Sequence, residues 1–163
     1  STTEGLSDEK VIYKFFRCLL DTWETELEQM PDRDLRSRAG RDLVGRVAQC
    51  KEHIKPLFKQ CKMSRVPQDI LTKLRSVVEH CESGNFRAAH DDYILIAIGD
   101  AQWPMGLDRV GIHDRKAREG ISSSNVSHVM QNEMQRKYLH SVKRLLTYCQ
   151  KLRPDVPPSM KVQ

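Results

Sequence analysis

Two clusters offer this chain acid–base or metal chemistry, His90-Asp91-Asp92 and His113-Asp114. A histidine beside a carboxylate is suited to moving a proton or holding a cation. Neither cluster has companions at a diagnostic spacing. The chain also has no phosphate-binding glycine motif and no serine in a nucleophile elbow. Ser122-Ser123-Ser124 reads as loop and helix cap. The expectation is therefore a protein that is not an enzyme, with a small hydrolase centred on His113 as the catalytic rival. The five cysteines are odd in number and form no Cys-x-x-Cys pair. Cys50, Cys61, Cys81 and Cys149 fall on apolar helical stripes, where a free thiol packs as a small hydrophobe. No disulfide, metal or cofactor is expected, and a reducing interior follows.

Recognition is the other chemistry available. Residues 99–124 show neither helical nor strand period over 26 positions, a length that marks a functional loop or a linker. Trp103, Met105, Leu107, Val110, Ile112 and Ile121 are too apolar for plain disorder. Ile98-Gly99-x-Ala101-x-Trp103-Pro104-x-Gly106 is its densest stretch. Trp103-Pro104 is a rigid apolar pair of the kind that anchors interfaces, or it folds back to plug the body. Beyond it, Arg109-Val110-Gly111-Ile112-His113-Asp114-Arg115-Lys116-Ala117-Arg118 holds four basic groups against one acidic. Arginine forks onto phosphate and histidine stacks on a base, so the tip can meet RNA. As an out-and-back excursion it would reach roughly 40 Å.

Charge is distributed unevenly about the net +5. Residues 1–30 hold three basic and seven acidic groups, residues 31–75 twelve and five, and residues 125–163 seven and two. Basic stretches of this kind suit an RNA phosphate or an acidic protein. Arg136, Lys137, Lys143 and Arg144 form the candidate contact face within the last one. No apolar run approaches the ~18 residues of a membrane span, and no secretory signal is visible. The chain opens on Ser1 without an initiator Met, as an excised fragment would.

Spacing predicts an all-α fold, a five-helix bundle in one domain, 1–163. The helices lie at about 7–29, 41–62, 67–83, 86–98 and 125–152. The long irregular loop 99–124 joins helices four and five, and a short tail spans 153–163. Ser7 caps the first helix, with Asp8 and Glu9 in its opening turn. Ile12, Phe15, Phe16, Leu19, Trp23 and Leu27 recur at three- and four-residue steps. A polar connection crosses 32–40. Leu43, Val47, Cys50, Ile54, Leu57, Phe58 and Cys61 stripe the second helix, which Pro56 should kink or split. Pro67 opens the third helix and Gly84 ends it in a left-handed cap. Ala89, Tyr93 and Ala97 recur in the fourth. The fifth buries Val126, Val129, Met130, Met134, Tyr138, Val142, Leu145, Leu146, Cys149 and Leu152 as the spine. No heptad seam suggests a dimer, so the chain is expected to be monomeric alone.

Ile98-Gly99, Ala101, Trp103-Pro104, Gly106, Val110-Gly111-Ile112-His113, Arg118-Glu119 and Ile121 form a long irregular signature. With Gln135-Arg136-Lys137-Tyr138, Lys143-Arg144-Leu145, Cys149-Gln150-Lys151 and Pro31-Asp32-Arg33-Asp34-Leu35-Arg36-Ser37, it resembles the C-terminal domain of the pre-mRNA-splicing factor 18 family. That resemblance implies a five-helix domain with its signature loop between helices four and five. It also implies a non-enzymatic nuclear protein of the U5 small nuclear ribonucleoprotein, acting in exon ligation. The implied partners are the largest U5 scaffold protein, a zinc-knuckle second-step factor, and spliceosomal RNA or pre-mRNA near the loop. Trp103, Pro104, Gly106, Val110, Gly111, Ile112, His113, Arg115 and Arg118 would be its working residues. The sequence departs from the family pattern at Asp100, Gln102, Asp114, Ala117 and Gly120. Asp100, Asp114 and Gly120 lower the loop's positive charge, which favours positioning through protein over direct phosphate contact. A helical interaction module with no splicing role is the alternative.

Overall fold

Ser7 does cap the first helix in the computed structural model: its hydroxyl accepts from the Lys10 N–H at 3.3 Å. The structure describes residues 5–111 and 115–163, with side chains described for 5–99 and 129–163. The helices are α1 (Asp8–Glu28), α2 (Asp32–Arg36), α3 (Arg38–Lys62), α4 (Gln68–Glu82), α5 (Phe86–Gly111) and α6 (Arg115–Lys151). A 3-10 turn at Pro158–Met160 follows, and there is no strand among the described residues.

Each helix turns one stripe inward. Ile12, Phe16 and Leu20 of α1 meet Ile54 and Leu57 of α3, Leu74, Val77 and Val78 of α4, and Tyr138, Val142 and Leu145 of α6 in one apolar cluster, all at 0% exposure. A Leu, Ile or Phe buried this fully stabilises by about 1.5–3 kcal/mol. Phe86, Ala89, Tyr93 and Ile96 bring the first half of α5 into the same core. Aromatic pairs fix α1 on its neighbours: Tyr13 meets Phe58 edge-on at 5.0 Å, and Trp23 stacks on Tyr148 at 4.8 Å. A buried polar link between α3 and α6 is reciprocal, with the Ser141 hydroxyl donating to the Cys50 carbonyl at 2.9 Å and the Cys50 thiol donating to the Ser141 carbonyl at 3.7 Å.

Two helices end in the same hydrogen-bonded cap. After α4, Gly84 takes φ +79°, its N–H bonds Cys81 O at 3.1 Å and the Asn85 N–H bonds His80 O at 2.8 Å. After α3, Ser64 takes φ 53° while Arg65 N–H reaches Gln60 O at 2.8 Å. A left-handed residue at this position lets two orphan carbonyls find donors.

Several expectations need correction. The polar connection contains α2, which starts after Pro31 with Asp32 and Asp34 in a first turn where the helix dipole favours acids. Pro56 does not split α3, which is continuous over 25 residues; a proline removes one backbone bond, and the packed apolar face holds the rest. The largest difference lies at 99–124. Instead of an irregular excursion between helices ending at 98 and starting at 125, α5 continues to Gly111 and α6 starts at Arg115, with 112–114 outside the described residues. Lengthening an existing helix costs far less than nucleating one. Ala101, Gln102, Met105, Leu107, Lys116, Ala117 and Arg118 are all good helix formers, and they outweigh the about 1 kcal/mol cost of each glycine. Val129, Met130 and Leu152, expected inward, are 54%, 66% and 43% exposed.

Candidate functional site

The residues singled out as working ones gather on the two helices that flank 112–114. Trp103, Pro104, Gly106, Val110 and Gly111 belong to the second half of α5, and Arg115 and Arg118 to the first turns of α6. Ile112 and His113 lie outside the described residues, as do the side chains of the other seven. The described flank of this region is apolar. Leu95 and Ile98 on α5 are 54% and 48% exposed, and Val129 and Met130 on α6 are 54% and 66% exposed. Exposed aliphatic side chains of this kind suit contact with a partner.

The basic candidates lie on α6, along its seam with α3. Lys143 and Arg144 line a groove of about 450 Å³ closed by α1 and α3, which adds Arg46; His140 and Lys151 complete its basic rim. Arg144 is steered into place by Gln49, whose Oε1 accepts from Nη1 at 2.7 Å. Lys137 sits beside a separate depression of about 380 Å³ with Glu52, His53 and Glu133, and Arg136 is exposed. The four residues are thus divided between a cationic groove and a mixed-charge edge about two helical turns away. Spacing along α6 revealed its cations. It did not reveal Arg46, because that residue joins them only through the packing of α3 on α6.

Glu26 and Tyr148 form the polar corner of the same groove. The Tyr148 hydroxyl donates to Glu26 Oε2 at 2.6 Å. Burial and then the Glu26 carboxylate push the Tyr148 phenol above its usual range, so it remains a donor. Trp23 closes the stack behind it.

The suspected acid–base cluster resolves into a tie between helices. Asp92 of α5 accepts from Ser76 Oγ at 2.7 Å and sits 2.9 Å from His80 Nδ1, both on α4. A nucleophilic triad places the imidazole between hydroxyl and carboxylate; here the carboxylate occupies the middle. His90 instead packs against Tyr93 at 5.8 Å, and Asp91 is exposed. Cys50 and Cys61 are arranged for packing. Burial pushes Cys61 up to about 12, with Glu9 adding to it, and raises Cys50 against the lowering pull of Ser141 and Arg144. A neutral buried thiol is a poor nucleophile. No group of three His, Cys, Asp or Glu side chains could hold a metal among the described residues.

A family model, the Prp18 domain, matches residues 13–155. The pre-mRNA-splicing factor 18 of Rattus norvegicus is 37% identical over 150 residues, which cover 92% of this chain and 44% of that protein. The Schizosaccharomyces pombe protein of the same name is 24% identical over 157 residues, covering 96% and 46%. For Saccharomyces cerevisiae the figures are 32% over 100 residues, covering 60% and 40%. The chain spans less than half the length of these curated relatives. No solved structure matches it.

Proposed function

Because the chain belongs to the Prp18 domain family, we propose that it is a nuclear pre-mRNA splicing factor acting in the second catalytic step, exon ligation, without performing the chemistry itself. The observation that carries this reading is the span of the family match, 13–155, which includes the whole of the Trp103-Pro104 signature. Trp103, Pro104, Gly106, Val110, Gly111, Ile112, His113, Arg115 and Arg118 help hold the exon and 3′ splice site for a reaction that spliceosomal RNA carries out. The bundle docks on U5 small nuclear ribonucleoprotein, meeting its largest scaffold protein and a zinc-knuckle second-step factor. Leu95, Ile98, Val129 and Met130 supply apolar surface next to the working segment. Lys143 and Arg144 add electrostatic attraction for RNA or acidic protein.

The test is a splicing extract depleted of the factor and complemented with its full-length form lacking residues 109–120. Every buried side chain described belongs to 11–96 or 132–156, so the body stays folded. Free first exon and lariat intermediate should accumulate. Normal exon ligation with that variant as the sole source would refute the mechanism.

A further inference from the structure

The groove between α1, α3 and α6 has more to its composition than the Lys143 and Arg144 charges that the exon-ligation reading uses. Its floor is aliphatic, made by Leu27, Met30 and Leu43, all half-buried. Its rim carries Arg46, Lys143, Arg144 and Lys151 against the single carboxylate of Glu26. That carboxylate is already engaged by Tyr148. Arg144 binds neutral oxygens, those of Gln49 and the Arg46 carbonyl. Among the described residues, Arg46, Lys143 and Lys151 have no ion pair. The exposed pairs elsewhere on the bundle, such as Arg17–Asp21 and Lys55–Glu52, show that its cations do find local carboxylates where the sequence offers them. Here the cations are left facing outward around an apolar floor.

We propose that this groove docks a short acidic segment of a partner protein, whose leucine-like side chains seat on Leu27, Met30 and Leu43 while its carboxylates meet Arg46, Lys143 and Lys151. A volume of about 450 Å³ falls within the about 300–1,000 Å³ of clefts that bury a ligand. An amphipathic peptide laid in a groove uses this division, apolar anchors below and charge at the rim. Single-stranded RNA fits the same charges but not the same floor. Bases gain affinity by stacking on aromatic faces, and the two rings here are stacked on each other and buried, Trp23 at 8% and Tyr148 at 4% exposure. The acidic segment is therefore the better complement. None of the described residues lining the groove belongs to 99–124, so its failure would remove only the attraction assigned to Lys143 and Arg144 and leave the role of the Trp103-Pro104 segment standing.

Trp23 and Trp103 are the chain's two tryptophans, which gives each region its own indole N–H signal. The probe is a fluorescent synthetic peptide of alternating glutamate and leucine blocks, compared with a polyuridine of similar charge and with the same peptide carrying lysine for glutamate. Binding is read by anisotropy and by indole shifts. The expected result is binding of the acidic peptide alone, displacement of the Trp23 signal, and steep weakening with salt. Arg46→Ala with Lys143→Ala should weaken it roughly tenfold or more. Met30→Lys should weaken it through the floor, and Lys137→Ala, outside the groove, should leave it unchanged. Tighter binding of polyuridine lost in the same variants would overturn the proposal in favour of RNA. Absence of peptide binding, or binding indifferent to Arg46, Lys143 and Met30, would overturn it outright.

Discussion

Substituting Gly84 by alanine tests whether the turn between α4 and α5 rests on backbone conformation. At φ +79° an L side chain is strained by about 1–2 kcal/mol, because its Cβ crowds the next carbonyl. Alanine returns about 0.4–1 kcal/mol by restricting the unfolded chain. The new Cβ would also stand 2.9 Å from Cγ2 of Val156, a buried side chain that packs the tail against this turn. Rotating that side chain off its rotamer costs about 0.5–1.5 kcal/mol. The balance is a loss of roughly 1–3 kcal/mol, or about 2–4 °C in Tm per kcal/mol for a chain of this size. Urea unfolding followed by circular dichroism would read it as a lower midpoint at unchanged slope. Ser64 supplies the inverse experiment. It holds a related left-handed position after α3 with a side chain in place, so Ser64→Gly should gain up to about 1 kcal/mol once glycine's own entropy is charged. A neutral Gly84→Ala together with a destabilising Ser64→Gly would refute the reasoning, since both signs come from one conformation.

Four further outcomes follow from packing and protonation. Gly40→Ala should destabilise by roughly 1–3 kcal/mol despite alanine's better helix propensity, because its Cβ would collide with the Asp34 carbonyl and lie 2.9 Å from Leu35 Cα; calorimetry showing a raised Tm would contradict this. Tyr148→Phe removes the donor to Glu26 and should cost about 1 kcal/mol in urea unfolding; no change would mean that bond contributes nothing. A thiol reagent at neutral pH should modify Cys18 rapidly and the four buried cysteines only on unfolding. Because Cys61 is raised from 9.0 to about 12 when folded, its contribution is complete below pH ~9 and is lost as pH rises through about 12. Stability measured across that window should fall more steeply for the parent than for Cys61→Ala.

Periodicity located the body of the fold because amphipathic stripes are local. Ile12, Phe16, Ile54, Leu57, Leu74, Tyr138 and Val142 were legible as core from spacing alone, and all are buried. So were four cysteines as packed thiols and Gly84 as a left-handed cap. Extent was harder to read. Residues 99–124 show no period in the sequence, yet α5 and α6 continue into that region because extension is cheap and many residues there favour helix. Spacing also gives a stripe without saying what covers it, so Val129 and Met130 read as core although they are exposed. The candidate groove was half legible. Lys143 and Arg144 are adjacent in sequence, whereas Arg46 and Leu27 reach them only through tertiary packing.

Pro56 leaves one rung missing in α3, the Glu52 carbonyl that would have received its N–H. The break falls between two attachments. Cys50 and Gln49 hold the earlier half to α6, while Phe58 holds the later half to α1. With that rung absent between them, the two stretches are expected to open to solvent separately. Amide exchange would reveal this as two rates within one helix, with the boundary between Glu52 and Phe58.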